Sequence, residues 1–263
     1  MSYRTALSEV LTSVVAPAAE PTRSQGRFPR AAVTALGHAG LLGLTVSGAY
    51  GGGGRGLPEA ADVVARTARV CPATAAVLGS HYAAVAVVEA YGGPWMRAEI
   101  VAGRHLSSLA LAERELESDS GLLTPSSGAV RSGDIVALRA RKHQVVAAGE
   151  ADSYVWSSRP LAAPDGLTLW GVPAHAPELF VPARPGGAGP YGSGTSTVFA
   201  DPVLVPADAM LGADGEGRDI VLRTVLPWLL ELRAAAGAAV PDAPVVHVSG
   251  GPVRQPADFL APS

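Results

Sequence analysis

Four acidic side chains alternate with other residues in one short stretch of the sequence: Glu113, Glu115, Glu117 and Asp119. On an extended segment this spacing would place all four carboxylates on one face. Their mutual repulsion would raise the pKa of at least one, and such a carboxyl group suits general acid or base catalysis. A solvated loop gives the same pattern, and we favour that interpretation, with Asp119 as a partial exception.

The other residues that could carry out chemistry are isolated. The six histidines show no spacing typical of metal ligands, so no metal site is predicted. Cys71, the single cysteine, excludes an intramolecular disulfide and is expected to be a buried structural thiol. Residues 51–56 formally match a G-x-G-x-x-G pattern, but no strand–turn–helix unit surrounds them, and we expect a loop.

The composition indicates a globular chain without a nucleic-acid or membrane surface. The 263 residues are 48% hydrophobic and 16% charged, and their formal net charge is −3. A nucleic-acid coat or a polybasic membrane binder needs an excess of cationic side chains, so neither partner is expected. We find no apolar signal core near Met1 and no apolar run of the roughly 18 residues that a membrane span needs. A cytoplasmic protein is therefore expected.

Hydrophobic spacing predicts an α+β fold in four parts. Residues 1–105 are predicted to form a helical domain, and residues 106–214 an antiparallel β-barrel or sandwich. A single helix is predicted over 215–240, and a proline-rich, disordered tail over 241–263. Within these parts, Pro17 and Pro21 are expected to end the first helix, and Pro227 to kink or restart the last one.

Four stretches of the sequence resemble motifs of the acyl-CoA dehydrogenase family. They occur in the family's order and spacing over residues 28–217. The stretches are residues 36–54, residues 65–75 with His81, residues 141–152 and residues 199–217. The resemblance implies a helical domain, a β-barrel and a C-terminal helix bundle, with FAD between barrel and bundle. It also implies oxidation of an acyl thioester, in which a carboxylate removes the α-proton and flavin N5 takes the β-hydride.

The chain departs from the family where the flavin would bind. Of the family's T-E-P-x-A-G-S-D motif it keeps Glu113, Ser118 and Asp119. The flavin-contacting positions correspond to Ala112, Ser118, Gln144 and Val146. Two family threonines are replaced by Ala112 and Val146, and the aromatic beside the flavin by Gln144. Each lost hydrogen bond is worth on the order of 1 kcal/mol, so the pair would weaken FAD binding about tenfold.

The C-terminal part also differs from the family. The family's bundle is considerably longer than the 46 residues that follow Gly217, so we expect the usual bundle contacts to be lost. Some members carry the catalytic glutamate on the first bundle helix. An ungapped count puts Trp228 at that place, and Glu231, three residues on, is the candidate base. FAD binding by the chain alone is therefore not expected, although a partner chain could complete the site.

These observations leave several functions open. The chain could retain an acyl-thioester or flavin surface and act beside a partner. The vacated flavin cleft could instead host a cyclisation, isomerisation or elimination, with Glu113, Asp119, Gln144 and His143 as polar candidates. An inert structural remnant and a conventional dehydrogenase are the remaining alternatives.

The last predicted helix also indicates association. Its apolar residues would be exposed to water unless another protein surface covered them. We therefore predict a homodimer or a complex with another protein chain. These residues are Leu222, Val225, Leu229 and Leu232.

Overall fold

The computed structural model describes residues 2–113, 127–182 and 190–239. Six α-helices form its N-terminal part, as the hydrophobic spacing predicts. They are α1 (Tyr3–Val10), α2 (Ala16–Gln25), α3 (Arg30–His38), α4 (Leu57–Ala68), α5 (Pro72–Tyr91) and α6 (Pro94–Val101). Two of them, α5 and α6, begin at a proline, whose fixed φ suits the first helical turn.

In both helical regions that contain an internal proline, a π-helical turn, which is wider than an α-helical turn, lies just before the proline. One π-helical turn, Leu11–Val15, joins α1 to α2 ahead of Pro17, and a second, Val221–Val225, precedes Pro227. A proline ring clashes with the carbonyl group four residues earlier, and a wider turn relieves that clash. The prediction that Pro17 and Pro21 end the first helix is therefore wrong, because the helix continues through both.

Helix α5 is the central helix of this part. It is long and apolar enough to cross a membrane by length and composition, and 72% of its apolar window is buried inside the fold. Such burial is typical of the core helix of a globular domain. Cys71, just before α5, is 3% exposed, as predicted for a structural thiol.

Two four-stranded sheets follow the helices. The first has the order β1-β4-β5-β8 and the second β2-β3-β7-β6. All pairings are antiparallel except that of β1 with β4, which is parallel. The strands are β1 (Ser107–Ala110), β2 (Gly128–Ser132), β3 (Ile135–Val145), β4 (Ser153–Ser158), β5 (Thr168–Pro173), β6 (Leu179–Phe180), β7 (Ser196–Pro206) and β8 (Met210–Leu211).

The first sheet lies between the second sheet and the helices. On one face, Trp156 and Trp170 belong to the same buried cluster as Leu138 of the second sheet. On its other face, Val155 packs in a cluster with Ala84 of α5. The predicted α+β architecture is thus confirmed, and the first sheet joins the second sheet to the helical part.

The C-terminal helices pack on this assembly. They are α7 (Gly217–Ile220) and α8 (Leu226–Ala239), and α8 contacts α4 and α5. Val225 and Leu232 are 0% and 2% exposed, so the expectation that they need another chain for cover is wrong. Leu222 remains 42% exposed and Leu230 55%.

Candidate functional site

Two of the positions for which the family resemblance implies flavin contact, Ala112 and Gln144, lie where β1 ends. Ala112 follows β1, and its carbonyl oxygen accepts a hydrogen bond from the backbone N–H of His143 at 2.7 Å. His143 and Gln144 lie in an irregularity of β3, between the pairs Lys142–Val198 and Val145–Ser196. Gln144 has a φ of 55°, a left-handed conformation that is uncommon for residues other than glycine. The bulge therefore brings Gln144 next to Ala112.

The third position, Val146, is fixed through a pair of buried serines. Its carbonyl oxygen accepts a hydrogen bond from the hydroxyl of Ser108 at 2.6 Å. The Ser108 oxygen lies 2.8 Å from that of Ser80 on α5, which in turn accepts from the N–H of Leu109 at 3.2 Å. Helix α5 thus supports β1 and the segment after the bulge. We refer to Ala112, Gln144 and Val146 together as the cleft residues, because the family resemblance implies that a flavin cleft would lie beside them.

Glu113 lies beside the cleft residues in a buried ion pair. Its Oε1 atom is 2.6 Å from Nζ of Lys142, and the two side chains are 5% and 0% exposed. Ser127 donates to the same carboxylate from its hydroxyl, and also from its backbone N–H at 2.9 Å. The interpretation of Glu113 as a solvated loop carboxylate is therefore wrong, because three protein donors replace water around it.

Lys142 is held by a complete set of partners. Besides Glu113, its ammonium group donates to the carbonyl oxygen of Ser157 at 2.7 Å and to the Ser157 hydroxyl at 2.8 Å. It also lies 5.3 Å from the centroid of the Trp156 ring, within reach of a cation–π interaction. Burial lowers the pKa of Lys142 to about 8, although the Glu113 charge opposes this shift.

The remaining predicted site residues are dispersed or outside the described residues. Ser118 and Asp119 lie outside the residues that the structure describes. Glu231 is exposed on α8, and Trp228, at the place of the family's glutamate, is half-buried and packs against the main core. Helix α8 faces α4 and α5, and the catalytic role of Glu231 stays a prediction.

Some residues of this site were not anticipated from the sequence. Ser80, Ser127 and Ser157 carry the hydrogen bonds described above, and no local spacing links them. Lys142 offered one signal, because it is the only lysine in the chain and it lies in a strand. Its sequence neighbours Arg141 and His143 are polar, however, so the sequence does not indicate that Lys142 is buried.

Comparison with known proteins identifies the scaffold. Residues 2–103 match the family described as acyl-CoA dehydrogenase, N-terminal domain. An acyl-CoA dehydrogenase of Bacillus subtilis (strain 168) is 26% identical over 89% of this chain and 62% of its own length. The chain thus spans about three fifths of that curated relative.

Solved structures show the same architecture. FkbI, described as a protein for biosynthesis of the methoxymalonyl extender unit of Fk520, superposes with a TM-score of 0.76 and 25% identity. The match covers 88% of this chain and 65% of FkbI. Butyryl-CoA dehydrogenase from Megasphaera elsdenii superposes with a TM-score of 0.79 at 21% identity, over 90% of this chain and 64% of its own.

Six helices packed on two four-stranded sheets, with a bulge of β3 beside the end of β1, make up a scaffold similar to that of the acyl-CoA dehydrogenases. Residues 2–103 match the N-terminal domain of the acyl-CoA dehydrogenase family, and the chain as a whole is similar to members of that family.

The cleft residues test whether FAD fits as the family resemblance implies. Ala112 and Val146 present only methyl groups, which cannot donate hydrogen bonds to an isoalloxazine ring. Gln144 offers an amide where the family has an aromatic ring. The side chains present therefore do not fit the flavin contacts that the resemblance implies.

Proposed function

We propose that the chain is an acyl-thioester-binding member of its family that is poorly equipped for FAD-dependent oxidation by itself. In this proposal a partner chain completes the cleft. The observation that carries the proposal is the pair Ala112 and Val146, whose methyl groups stand where the family resemblance implies threonine hydroxyls. Two missing hydrogen bonds correspond to about a tenfold or greater loss of FAD affinity.

The class of substrate rests on the relatives. The names of the acyl-CoA dehydrogenase of Bacillus subtilis and of butyryl-CoA dehydrogenase specify an acyl thioester. FkbI is described through a methoxymalonyl extender unit, which makes a malonyl thioester a second candidate. We therefore take butyryl-CoA and malonyl-CoA as the two probes.

The partner proposal rests on exposed apolar side chains near the end of the described chain. Leu222 and Leu230 are 42% and 55% exposed. These two side chains lie about two helical turns apart, and large apolar side chains exposed in this way are suited to covering by another protein. The partner would thus pack against α8 and the turn that precedes it.

One observation favours a second candidate function, a non-redox reaction in the cleft. Gln144 is held at a φ of 55°, and such strained residues often occur at functional sites. The amide N–H of Gln144 could polarise a thioester carbonyl by donating a hydrogen bond to it. An isomerisation or elimination that proceeds without a flavin requires such polarisation.

The absorption spectrum of the purified full chain separates these proposals. The main proposal predicts colourless protein, weak uptake of added FAD in equilibrium dialysis, and binding of butyryl-CoA or malonyl-CoA by calorimetry. An absorption band at about 450 nm with stoichiometric flavin would contradict it and indicate a conventional dehydrogenase. Conversion of a thioester probe by the colourless protein, detected by mass spectrometry, would favour the non-redox candidate.

A further inference from the structure

A small pocket opens on the surface where the turn between α5 and α6 meets the first sheet. Its volume is about 150 Å³. A cavity of about this volume can hold a molecule the size of benzene. Two aromatic side chains, two methionines and one carboxylate line much of the pocket; they are Tyr91, Trp95, Met96, Met210 and Asp208. None of the cleft residues, all of which the structure describes, lines it.

The two aromatic rings of this pocket are held by neighbours outside it. The ring of Trp95 lies 6.0 Å from that of His105, with the two planes 83° apart, and His105 is itself buried. The ring of Tyr91 lies against Gly212, where a Cβ atom would be 3.7 Å from Cδ1 of the tyrosine. Trp95 is nevertheless 67% exposed and Tyr91 41%. The fold therefore fixes two rings whose surfaces remain open to a ligand.

Gly171 of strand β5 keeps the pocket open at its base. A Cβ atom on Gly171 would lie 3.5 Å from the methyl carbon of Met96 and 3.7 Å from the carbonyl oxygen of Ala209. All three residues line the pocket, so a side chain at position 171 would project into it. Gly171 does not have a left-handed φ, and β-branched residues suit strands. A valine at this position would therefore fill the pocket without straining the backbone.

Asp208 gives the pocket a negative charge. It belongs to the short turn Ala207–Ala209 and is the only charged residue among the described residues that line the pocket. Within the part of the chain that the structure describes, no hydrogen bond or ion pair engages its side chain. Arg97 of α6 instead donates to the Tyr50 hydroxyl at 2.7 Å and to the carbonyl oxygen of Glu89 at 2.8 Å. The N-terminus of α6 adds only about half a positive charge, so the carboxylate decides the sign.

We propose that this pocket binds a small organic ammonium ion, in which alkyl groups surround the positive charge. The faces of aromatic rings attract such cations, and thioether groups pack well against their alkyl carbons. The Asp208 carboxylate supplies the opposite charge. A hard metal cation needs several oxygen ligands, more than one carboxylate and one nearby carbonyl group provide. This inference does not depend on the proposed function, because the pocket and the cleft residues are separate.

The test measures the binding of choline to the full chain by calorimetry at constant ionic strength. The trimethylammonium group of choline is close to benzene in size. The matched probe is neohexyl alcohol, the neutral analogue in which carbon replaces the nitrogen atom. We expect saturable binding of choline in the millimolar range, as is usual for so small a ligand, and at least about tenfold weaker binding of the alcohol.

Three variants assign the binding to the pocket. Asp208→Asn keeps the shape of the side chain and removes its charge, and should weaken choline binding at least about fivefold while leaving the alcohol unaffected. Trp95→Leu should weaken choline binding by a similar factor. Gly171→Val should abolish the binding of both probes. If either of the last two variants does not fold, Asp208→Asn, at an exposed side chain, decides.

Two control variants make the same exchanges away from the pocket. Asp201→Asn alters a carboxylate that is 83% exposed on the second sheet, and Phe180→Leu an aromatic ring that is 62% exposed there. Both should bind choline as wild type does. Equal loss of binding in a variant and its control would show that the effect is not specific to the pocket and would overturn the assignment.

Each remaining outcome bears on the proposal directly. Absence of saturable choline binding to the folded wild-type chain would overturn it. Equal affinities for choline and the alcohol would show that the pocket does not select a cation. Choline binding that all three pocket variants leave unchanged would place the binding elsewhere and overturn the proposed site. Binding of butyryl-CoA or malonyl-CoA does not enter this test, so its result is independent of the proposed function.

Discussion

The imidazole of His81 joins helix α5 to strand β1. Its Nδ1 atom accepts a hydrogen bond from the backbone N–H of Ser107 at 3.1 Å, which leaves the proton on Nε2. Nε2 donates to the carbonyl oxygen of Leu42 at 3.0 Å. The ring is 0% exposed, and burial lowers the pKa of His81 to about 4. The folded chain therefore holds a neutral histidine between its helical part and its first sheet.

This geometry predicts a specific acid sensitivity. Above pH 6.5 His81 is neutral in both states, and its contribution to the free energy of unfolding is complete. Between pH 6.5 and 4 the unfolded chain binds a proton that the folded chain does not, so stability falls as the pH falls.

The variant His81→Gln tests that sensitivity, since glutamine offers a donor and an acceptor but does not titrate. We expect it to be less stable at pH 7 and to show a smaller loss of stability between pH 6.5 and 4 in urea unfolding. His175→Gln, whose side chain is 69% exposed in wild type, is the matched control and should retain the wild-type pH dependence. An unchanged pH dependence in His81→Gln would show that other groups cause it.

A second acid-sensitive group is Asp214. Its carboxylate accepts hydrogen bonds from the Thr168 hydroxyl at 2.6 Å and from the N–H groups of Leu161, Ala162 and Ala163 at 2.7, 2.8 and 2.9 Å. Burial alone would raise the pKa of Asp214, but these bonds outweigh it, the largest being that of Thr168, and lower the pKa to about 2.

Asp214→Asn should therefore be less stable at pH 7 by about 1–2 kcal/mol, because an amide accepts fewer of these bonds and the site is partly open to water. Wild type should lose this contribution as the pH falls from 3.8 towards 2, and Asp214→Asn should not. Thermal unfolding at several pH values measures both effects. Asp208→Asn, at an exposed carboxylate, serves as the control with an expected change within 0.5 kcal/mol of zero, roughly.

The local parts of the fold were predictable from sequence. Helical spacing and proline positions predict helices over residues 29–40, 57–71, 73–91 and 94–103, which match α3 to α6, and the turn signal Gly133-Asp134 matches the hairpin between β2 and β3. The residue pattern predicts strands over 135–139 and 197–199, whereas β3 and β7 are longer, because a bulge near Gln144 and the prolines of β7 interrupt the alternation. Pro17 was misinterpreted because a π-helical turn, which has no simple sequence signal, accommodates it.

The site was less predictable, because its contacts are long-range. The order of motifs predicts that Ala112, Gln144 and Val146 belong to one site, and their role there stays a prediction. The ion pair of Glu113 depends on Lys142, which is 29 residues away, and on the register of β3. Nor does the amphipathic pattern of the last helix reveal that α4 and α5 cover Leu232.

Two glycines allow helix α3 to approach the turn after α6. A Cβ atom on Gly103 would lie 2.4 Å from the backbone of Gly37, and Gly103 has a φ of +71°. Gly103→Ala should therefore lower the free energy of unfolding by about 2 kcal/mol or more. Gly79→Ala, in helix α5 with no atom within 4 Å of the new Cβ, should raise it by about 0.5–1 kcal/mol. Equal effects in urea unfolding would contradict this contrast.

The ion pair between Glu113 and Lys142 predicts a non-additive effect on stability. Lys142→Met leaves a buried carboxylate without its charged partner and should cost about 3–5 kcal/mol. In the double variant Glu113→Gln/Lys142→Met no charge remains buried, so the loss should be clearly smaller than the sum of the two single losses. Urea unfolding of the four proteins gives the coupling energy. Additive losses would show that the two charges do not interact.

The methyl groups of the cleft predict how FAD binding could be restored. Val146→Thr exchanges one methyl group for a hydroxyl at a half-buried position, and Ala112→Thr adds a hydroxyl at a position that is 5% exposed. If these hydroxyls reach an isoalloxazine ring, each contributes on the order of 1 kcal/mol, and the double variant should bind FAD about tenfold or more tightly than wild type. Fluorescence titration with FAD measures this change.

Val130→Thr makes the same exchange on the outer face of the second sheet, where the side chain is 68% exposed, and should leave FAD affinity unchanged. An equal affinity in all these proteins would mean that the methyl groups do not decide the use of FAD, and that Gln144 must be tested in its place.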